Sequence, residues 1–196
     1  KIEGIEKFAG KVMHTAEWDQ DYTLEGKRVA VIGTGASAIQ VVPAIQPKVA
    51  SLALFQRTPP WVMPKFDGPQ SPVRQARFRR WPFLQKLLRN AQYLLGESVV
   101  PAFMWDSFLT RFGEFMGRRY LKKVVADPVL RAKLTPGYAM GCKRVLLSDN
   151  YYPAVIKDNV NLVTTGVSHL DENAIYGADG QRLEVDAIIL ATGFKV

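Results

Sequence analysis

The feature that most constrains this chain is Gly33-Thr34-Gly35-Ala36-Ser37-Ala38, a G-x-G-x-x-A run that directly follows the apolar segment Arg28–Ile32 (RVAVI). Behind it the sequence AIQVVPAIQ reads as a helix, and residues 52–55 (LALF) read as a second apolar strand. A strand, a glycine-rich turn and a helix leading to another strand form a βαβ unit, with parallel strands and a right-handed crossover. Each small residue has a physical purpose there. Gly33 permits the tight turn out of the strand, Gly35 lets backbone N–H groups approach a pyrophosphate, and Ala38 lets helix and strand pack closely. The positive end of the helix dipole attracts the anion. Thr34, Ala36, Ser37 and Gln40 complete the candidate dinucleotide-binding turn.

Two further runs, Val160–Val163 (VNLV) and Ala187–Leu190 (AIIL), have the near-continuous apolar character of strands buried on both faces. Tyr176-Gly177-Ala178-Asp179-Gly180 lies between polar–apolar alternations and reads as a hairpin or tight turn before the last strand. The expected fold class is α/β, a Rossmann-like doubly wound parallel sheet. It is built from residues 21–64 and 140–196 and interrupted by a helical insert over 65–139, with residues 1–20 as a linker.

The charge supports that division. Lys and Arg number 26 against 18 Asp and Glu, a formal +8, and residues 71–144 hold 15 of the basic and 4 of the acidic groups. That block is therefore +11 and the remainder −3. Between Trp81 and Tyr120, Phe83, Leu84, Leu87, Leu88, Leu94, Leu95, Phe108, Leu109, Phe112, Phe115 and Met116 fall near i, i+3, i+4 spacing, which predicts amphipathic helices. Pro82, Pro101 and Pro136 punctuate them, and Asp127-Pro128 reads as an N-cap followed by a first-turn proline. The arginine cluster carries no helix-turn-helix, zinc or RNA-binding signature, so no nucleic-acid partner is expected. Trp81, Phe83 and Trp105 with flanking arginines make weak membrane-surface association a secondary expectation.

Other classes are excluded more directly. A single cysteine, Cys142, allows no internal disulfide, and two histidines, His14 and His169, without an HExxH spacing leave no metal site to expect. No apolar run approaches the ~20 residues of a membrane span, and the first residues lack a signal-peptide core, so the expected location is cytoplasmic. At the end of the second strand, where an NAD site offers Asp or Glu to the ribose, the chain reads Phe55-Gln56-Arg57-Thr58. Arg57 is a planar cation suited to a phosphate. NADP(H) is therefore expected over NAD.

Upstream lies Phe8-Ala9-Gly10-Lys11-Val12-Met13-His14-Thr15-Ala16-Glu17-Trp18-Asp19. Its spacing, F-x-G-x-x-x-H-x-x-x-W-D, resembles the fingerprint of the type I Baeyer–Villiger monooxygenases, with the strand and G-x-G-x-x-A following as they do in that family. Phe55-Gln56-Arg57-Thr58-Pro59, Gly141-Cys142-Lys143-Arg144 with Tyr151-Tyr152, and Leu190-Ala191-Thr192-Gly193-Phe194 extend the resemblance over both flanks. The insert corresponds to the family's variable helical region by position only.

The resemblance implies a monooxygenase that uses NADPH and FAD and inserts one oxygen of O2 next to a ketone carbonyl through a peroxyflavin. It implies Arg144 as the active-site arginine and His14 as a residue coupling cofactor position to turnover. Lys143 is implied to contact the 2′-phosphate beside Arg57 and Thr58, and Thr192 belongs to the cofactor-binding set. A separate FAD domain with its own G-x-G-x-x-G is absent from these residues, so the chain is expected to be an excised NADPH domain that binds NADP(H) but does not turn over. Alternatives are a flavin-containing monooxygenase acting on nitrogen or sulfur and a non-catalytic NADP-binding domain.

Overall fold

The computed structural model describes residues 2–65, 68–104 and 108–193, with the side chains of 98–104 outside that description. Trp105 and Phe194, both named above, lie outside the described residues. Five strands form a wholly parallel sheet: β1 (Lys11–His14), β2 (Arg28–Ile32), β3 (Ser51–Phe55), β6 (Val160–Val163) and β10 (Ala187–Leu190). Their order is β1-β10-β2-β3-β6. Helix α1 (Ala38–Ile45) makes the crossover from β2 to β3, as the sequence predicts.

The register explains why the strands read as they do. Met13, Ile189, Val31, Leu54 and Leu162 are paired in one row across all five strands, and every one of them is buried. Successive side chains point to opposite faces. Val29, Val31, Leu52, Leu54, Ala187 and Ile189 thus face one core, and Ala30, Ala53, Phe55 and Ile188 face another. The first core is closed by α1 and by α6 (Tyr151–Val155) with Tyr151 and Tyr152. The second is closed by a three-stranded antiparallel sheet, β7 (Val167–Leu170), β8 (Ala174–Gly177) and β9 (Arg182–Glu184), through Leu170 and Ile175. The β8–β9 turn is the hairpin expected at Tyr176–Gly180, with Gly180 at φ +83°.

The first twenty residues differ from expectation. They do not form a plain linker: β1 is an edge strand of the main sheet, and Phe8 is buried in the second core. Gly10 is required between them, because a Cβ there would lie 2.5 Å from the Asp186 carbonyl oxygen and 2.6 Å from the Phe8 ring.

The insert is helical, with α2 (Pro72–Arg80), α3 (Pro82–Met104), α4 (Phe108–Val124) and α5 (Pro128–Leu134). Asp127 caps α5 as predicted, its carboxylate accepting from the N–H groups of Val129 and Leu130. Pro101 does not divide α3, which runs on to Met104. The inner side of α4 reaches the body: Leu121 joins the first core, and Gly117 packs so closely on Trp61 that a Cβ would lie 3.1 Å from the indole. Short parallel strands β4 (Val62–Met63) and β5 (Leu146–Leu147) pair the two ends of the insert.

Arg28 bridges Asp186 and Glu184 on the sheet's N-terminal side. It holds the Asp186 carboxyl below the ordinary carboxylate range, as Lys11 does for Asp19. A carboxyl whose folded-state pKa is depressed contributes stability above its unfolded pKa and loses it as pH falls through the folded one. Denaturant midpoints should therefore decline below about pH 4, and Asp186→Asn should make that decline shallower. An unchanged acid limb in the variant would assign acid sensitivity elsewhere.

Candidate functional site

The C-terminal ends of β2, β3, β6 and β10 open into a cleft of about 630 Å³. It lies where the chain's course over the sheet reverses: from β2 the crossover runs toward β3, while β10 occupies the other side. Such a switch point leaves a crevice between diverging connections.

The β2–α1 turn forms its floor. Gly33 has φ +109°, and a Cβ on it would sit 2.5 Å from the Ala191 carbonyl oxygen, so both conformation and space demand glycine. Gly35 differs, since nothing lies within 4 Å of where its Cβ would be. Its lack of a side chain leaves the backbone open to the cleft rather than fitting it to a protein neighbour. Thr34 donates its hydroxyl to the Thr58 carbonyl at 3.2 Å, tying the turn to the end of β3. Ser37 accepts the N–H groups of Gln40 and Val41 through its backbone oxygen, with no side-chain cap.

The walls are positively charged. Arg57, Lys143 and Arg144 line the cleft, no carboxylate is among its lining residues, and no ion pair engages any of the three among the described residues. Lys143 places its ammonium 4.8 Å from the centroid of the Tyr138 ring. Burial raises the Tyr138 pKa, keeping that ring a neutral phenol. Three cations beside an open backbone turn at a helix N-terminus suit a ligand carrying several negative charges.

Of the residues expected from sequence, Gly33, Thr34, Gly35, Ala36, Arg57, Thr58, Lys143, Arg144 and Thr192 meet in this cleft although they come from four stretches of chain. Ser37, Ala38, Gln40 and His14 do not line it. Ala38 is fully buried beneath the turn, where its small size serves packing. Gln40 turns back to the Ala36 carbonyl at 2.8 Å. His14 stands behind the rim: Nδ1 accepts the Ala16 N–H, so Nε2 carries the proton and donates to the Gly193 carbonyl at 3.0 Å.

Thr165, Gly166 and Tyr138 line the cleft without having been singled out from sequence. Gln56 was also passed over as a functional residue. It is 1% exposed, and its amide donates to the Lys133 carbonyl of α5 at 2.8 Å, bracing the strand end that carries Arg57.

A family model of flavin-binding monooxygenase-like proteins matches residues 1–196. A Baeyer–Villiger monooxygenase of Pseudomonas aeruginosa is 50% identical over 194 residues, covering 99% of this chain and 37% of that protein. Among solved structures, an oxidized steroid monooxygenase bound to NADP superposes with a TM-score of 0.84 at 28% identity, over 100% of this chain and 44% of its own. A complex of the enzyme OTEMO with FAD and NADP gives 0.79 at 27% identity, over 100% and 44%. The chain therefore spans well under half the length of these proteins.

The two glycines should separate experimentally. Gly33→Ala should destabilise the chain by about 1–3 kcal/mol through its positive φ, with more from the contact against Ala191. Gly35→Ala should leave thermal stability nearly unchanged. Equal melting-temperature losses in the two variants would contradict the different surroundings of these positions.

Proposed function

The chain belongs to the flavin-binding monooxygenase-like family, and we propose that it is the NADP(H)-binding portion of an FAD-dependent Baeyer–Villiger-type monooxygenase. The observation that carries this reading is the cleft itself: a glycine turn open at Gly35, with Arg57, Lys143 and Arg144 around it and no carboxylate. The absence of an acidic group at the end of β3 opposes NAD, whose ribose hydroxyls call for one.

The residues divide the work as follows. Backbone N–H groups of the Gly33–Ala36 turn and the N-terminus of α1 hold the pyrophosphate. Arg57 and Lys143 pair with the 2′-phosphate, with Thr58 beside them. Thr192 lines the same cleft. His14 acts as a positioning residue through the Gly193 carbonyl, fixing β1 against the turn that ends β10. Arg144 presents a guanidinium to the cleft, which suits the stabilisation of an anionic oxygen nucleophile. When bound, the nicotinamide cofactor supplies reducing equivalents and the flavin activates O2. The substrate class proposed is a ketone, beside whose carbonyl one oxygen atom is inserted, a reading supported by the similarity to a Baeyer–Villiger monooxygenase. The isolated chain is proposed to bind NADP(H) without turning over.

Calorimetric titration of the chain should show NADP+ binding at least tenfold more tightly than NAD+, about 1.4 kcal/mol, and Arg57→Ala should abolish most of that difference. Equal affinities in the unaltered chain would reject the 2′-phosphate assignment. A stoichiometric flavin spectrum in the purified chain would contradict its proposed inactivity. In the full-length protein, Arg144→Ala should keep flavin reduction by NADPH within a few-fold while ester formation is lost. Retained ester formation would remove Arg144 from the chemistry.

A further inference from the structure

We infer that the α2–α3 arm of the insert is a docking surface for an anionic lipid bilayer. The arm has the composition of an interfacial element and little of the packing of an internal one. Residues 71–96 contain six cations, Arg74, Arg77, Arg79, Arg80, Lys86 and Arg89, and no carboxylate. No residue of α2 is buried. On α3, Phe83, Leu87 and Leu94 follow i, i+4, i+11 spacing and so share one side of the helix, yet they are 64%, 62% and 65% exposed. Trp81, between the two helices, is 45% exposed.

Cations and aromatic rings are interleaved at the same place. The Arg80 guanidinium lies 5.3 Å from the Trp81 ring centroid, and that of Arg74 lies 5.7 Å from the centroid of Phe78. A headgroup layer accommodates both kinds of group, since rings and aliphatic side chains enter the acyl boundary while guanidinium groups stay among the phosphates. Other occupants fit the charge less well. A second copy would bring six like charges against six. A protein partner burying the arm would have to desolvate the cations, and charged groups are depleted from the centres of such interfaces. Among the described residues no helix is long and apolar enough to cross a membrane, so the arm lies on the surface.

The test is co-sedimentation of the full-length protein with vesicles of phosphatidylcholine alone or mixed with phosphatidylserine, at physiological salt and again at high salt. The expected result is binding to the anionic vesicles that weakens in high salt, with pure phosphatidylcholine retaining far less. Replacing Arg74, Arg77, Arg79 or Arg80 with Gln should weaken partitioning about fivefold per arginine removed, and Phe83→Ala with Leu87→Ala should weaken it at unchanged charge. All six side chains are exposed or nearly so, and unchanged NADPH oxidation will show that the variants are folded. Failure to bind anionic vesicles would overturn the proposal and leave the arm covered by the remainder of the polypeptide. Equal binding to both vesicle types, or binding insensitive to these substitutions, would also overturn it. So would a preference for RNA or DNA competitors over the vesicles.

Discussion

The structure depends on a junction where three strand ends are tied together. The Ala191 N–H donates to the Ile32 carbonyl, and the Gly33 N–H donates to that of Phe55. These bonds carry the pairing of β2 with β10 and β3 one residue beyond the strands. They bring the Ala191 carbonyl so close to Gly33 that no side chain fits there. The geometry of the cleft floor is thus set by sheet register rather than by the loop's own preference. The register in turn is fixed by the buried row from Met13 to Leu162, because a slip of one residue would turn every apolar side chain of a strand toward the wrong core.

How legible each part was in the sequence follows from its surroundings. Strands β2, β3, β6 and β10 were legible because burial on both faces leaves little room for polar residues. Strand β1 was not. Lys11-Val12-Met13-His14 is an edge strand with one neighbour, its Lys11 held by Asp19 and its His14 by Gly193, so two of its four residues are polar. The Asp127 cap was readable because capping needs a particular side chain at a particular place. Pro101 lies inside α3, so a proline in the sequence does not by itself mark a helix end.

The cleft divides in the same way. Gly33, Gly35 and Arg57 stand out in the sequence because the physics of holding an anion restricts their type, whereas Lys143 and Arg144 stand out only through the family resemblance. Thr165 and Gly166 follow β6 as ordinary turn residues, and only the sheet order brings them beside the β3 end. Ser37 and Gln40 belong to the fingerprint by position, but neither lines the cleft, and the Gln40 amide turns back to the Ala36 carbonyl. A spacing motif identifies the turn and does not specify which of its side chains face the ligand.

Gln56 links the two halves of this organisation. A fully buried polar side chain is costly where it is not hydrogen-bonded; Gln56 bonds through its amide nitrogen across to the Lys133 carbonyl near the end of α5, while its Oε1 finds no partner among the described residues. Its own N–H is held by Val163 of β6. The residue before Arg57 is therefore fixed both to the sheet and to the helical insert. At the same time Leu121 of α4 and Leu134 of α5 join the first core. The inner half of the insert is consequently part of the wall that supports the cationic cleft, whereas α2 and the first turns of α3 contribute nothing to either core. One insert thus carries two physical tasks in sequence-adjacent pieces: a packed base that holds Arg57 in place, and an arginine-rich arm whose apolar side chains remain in solvent.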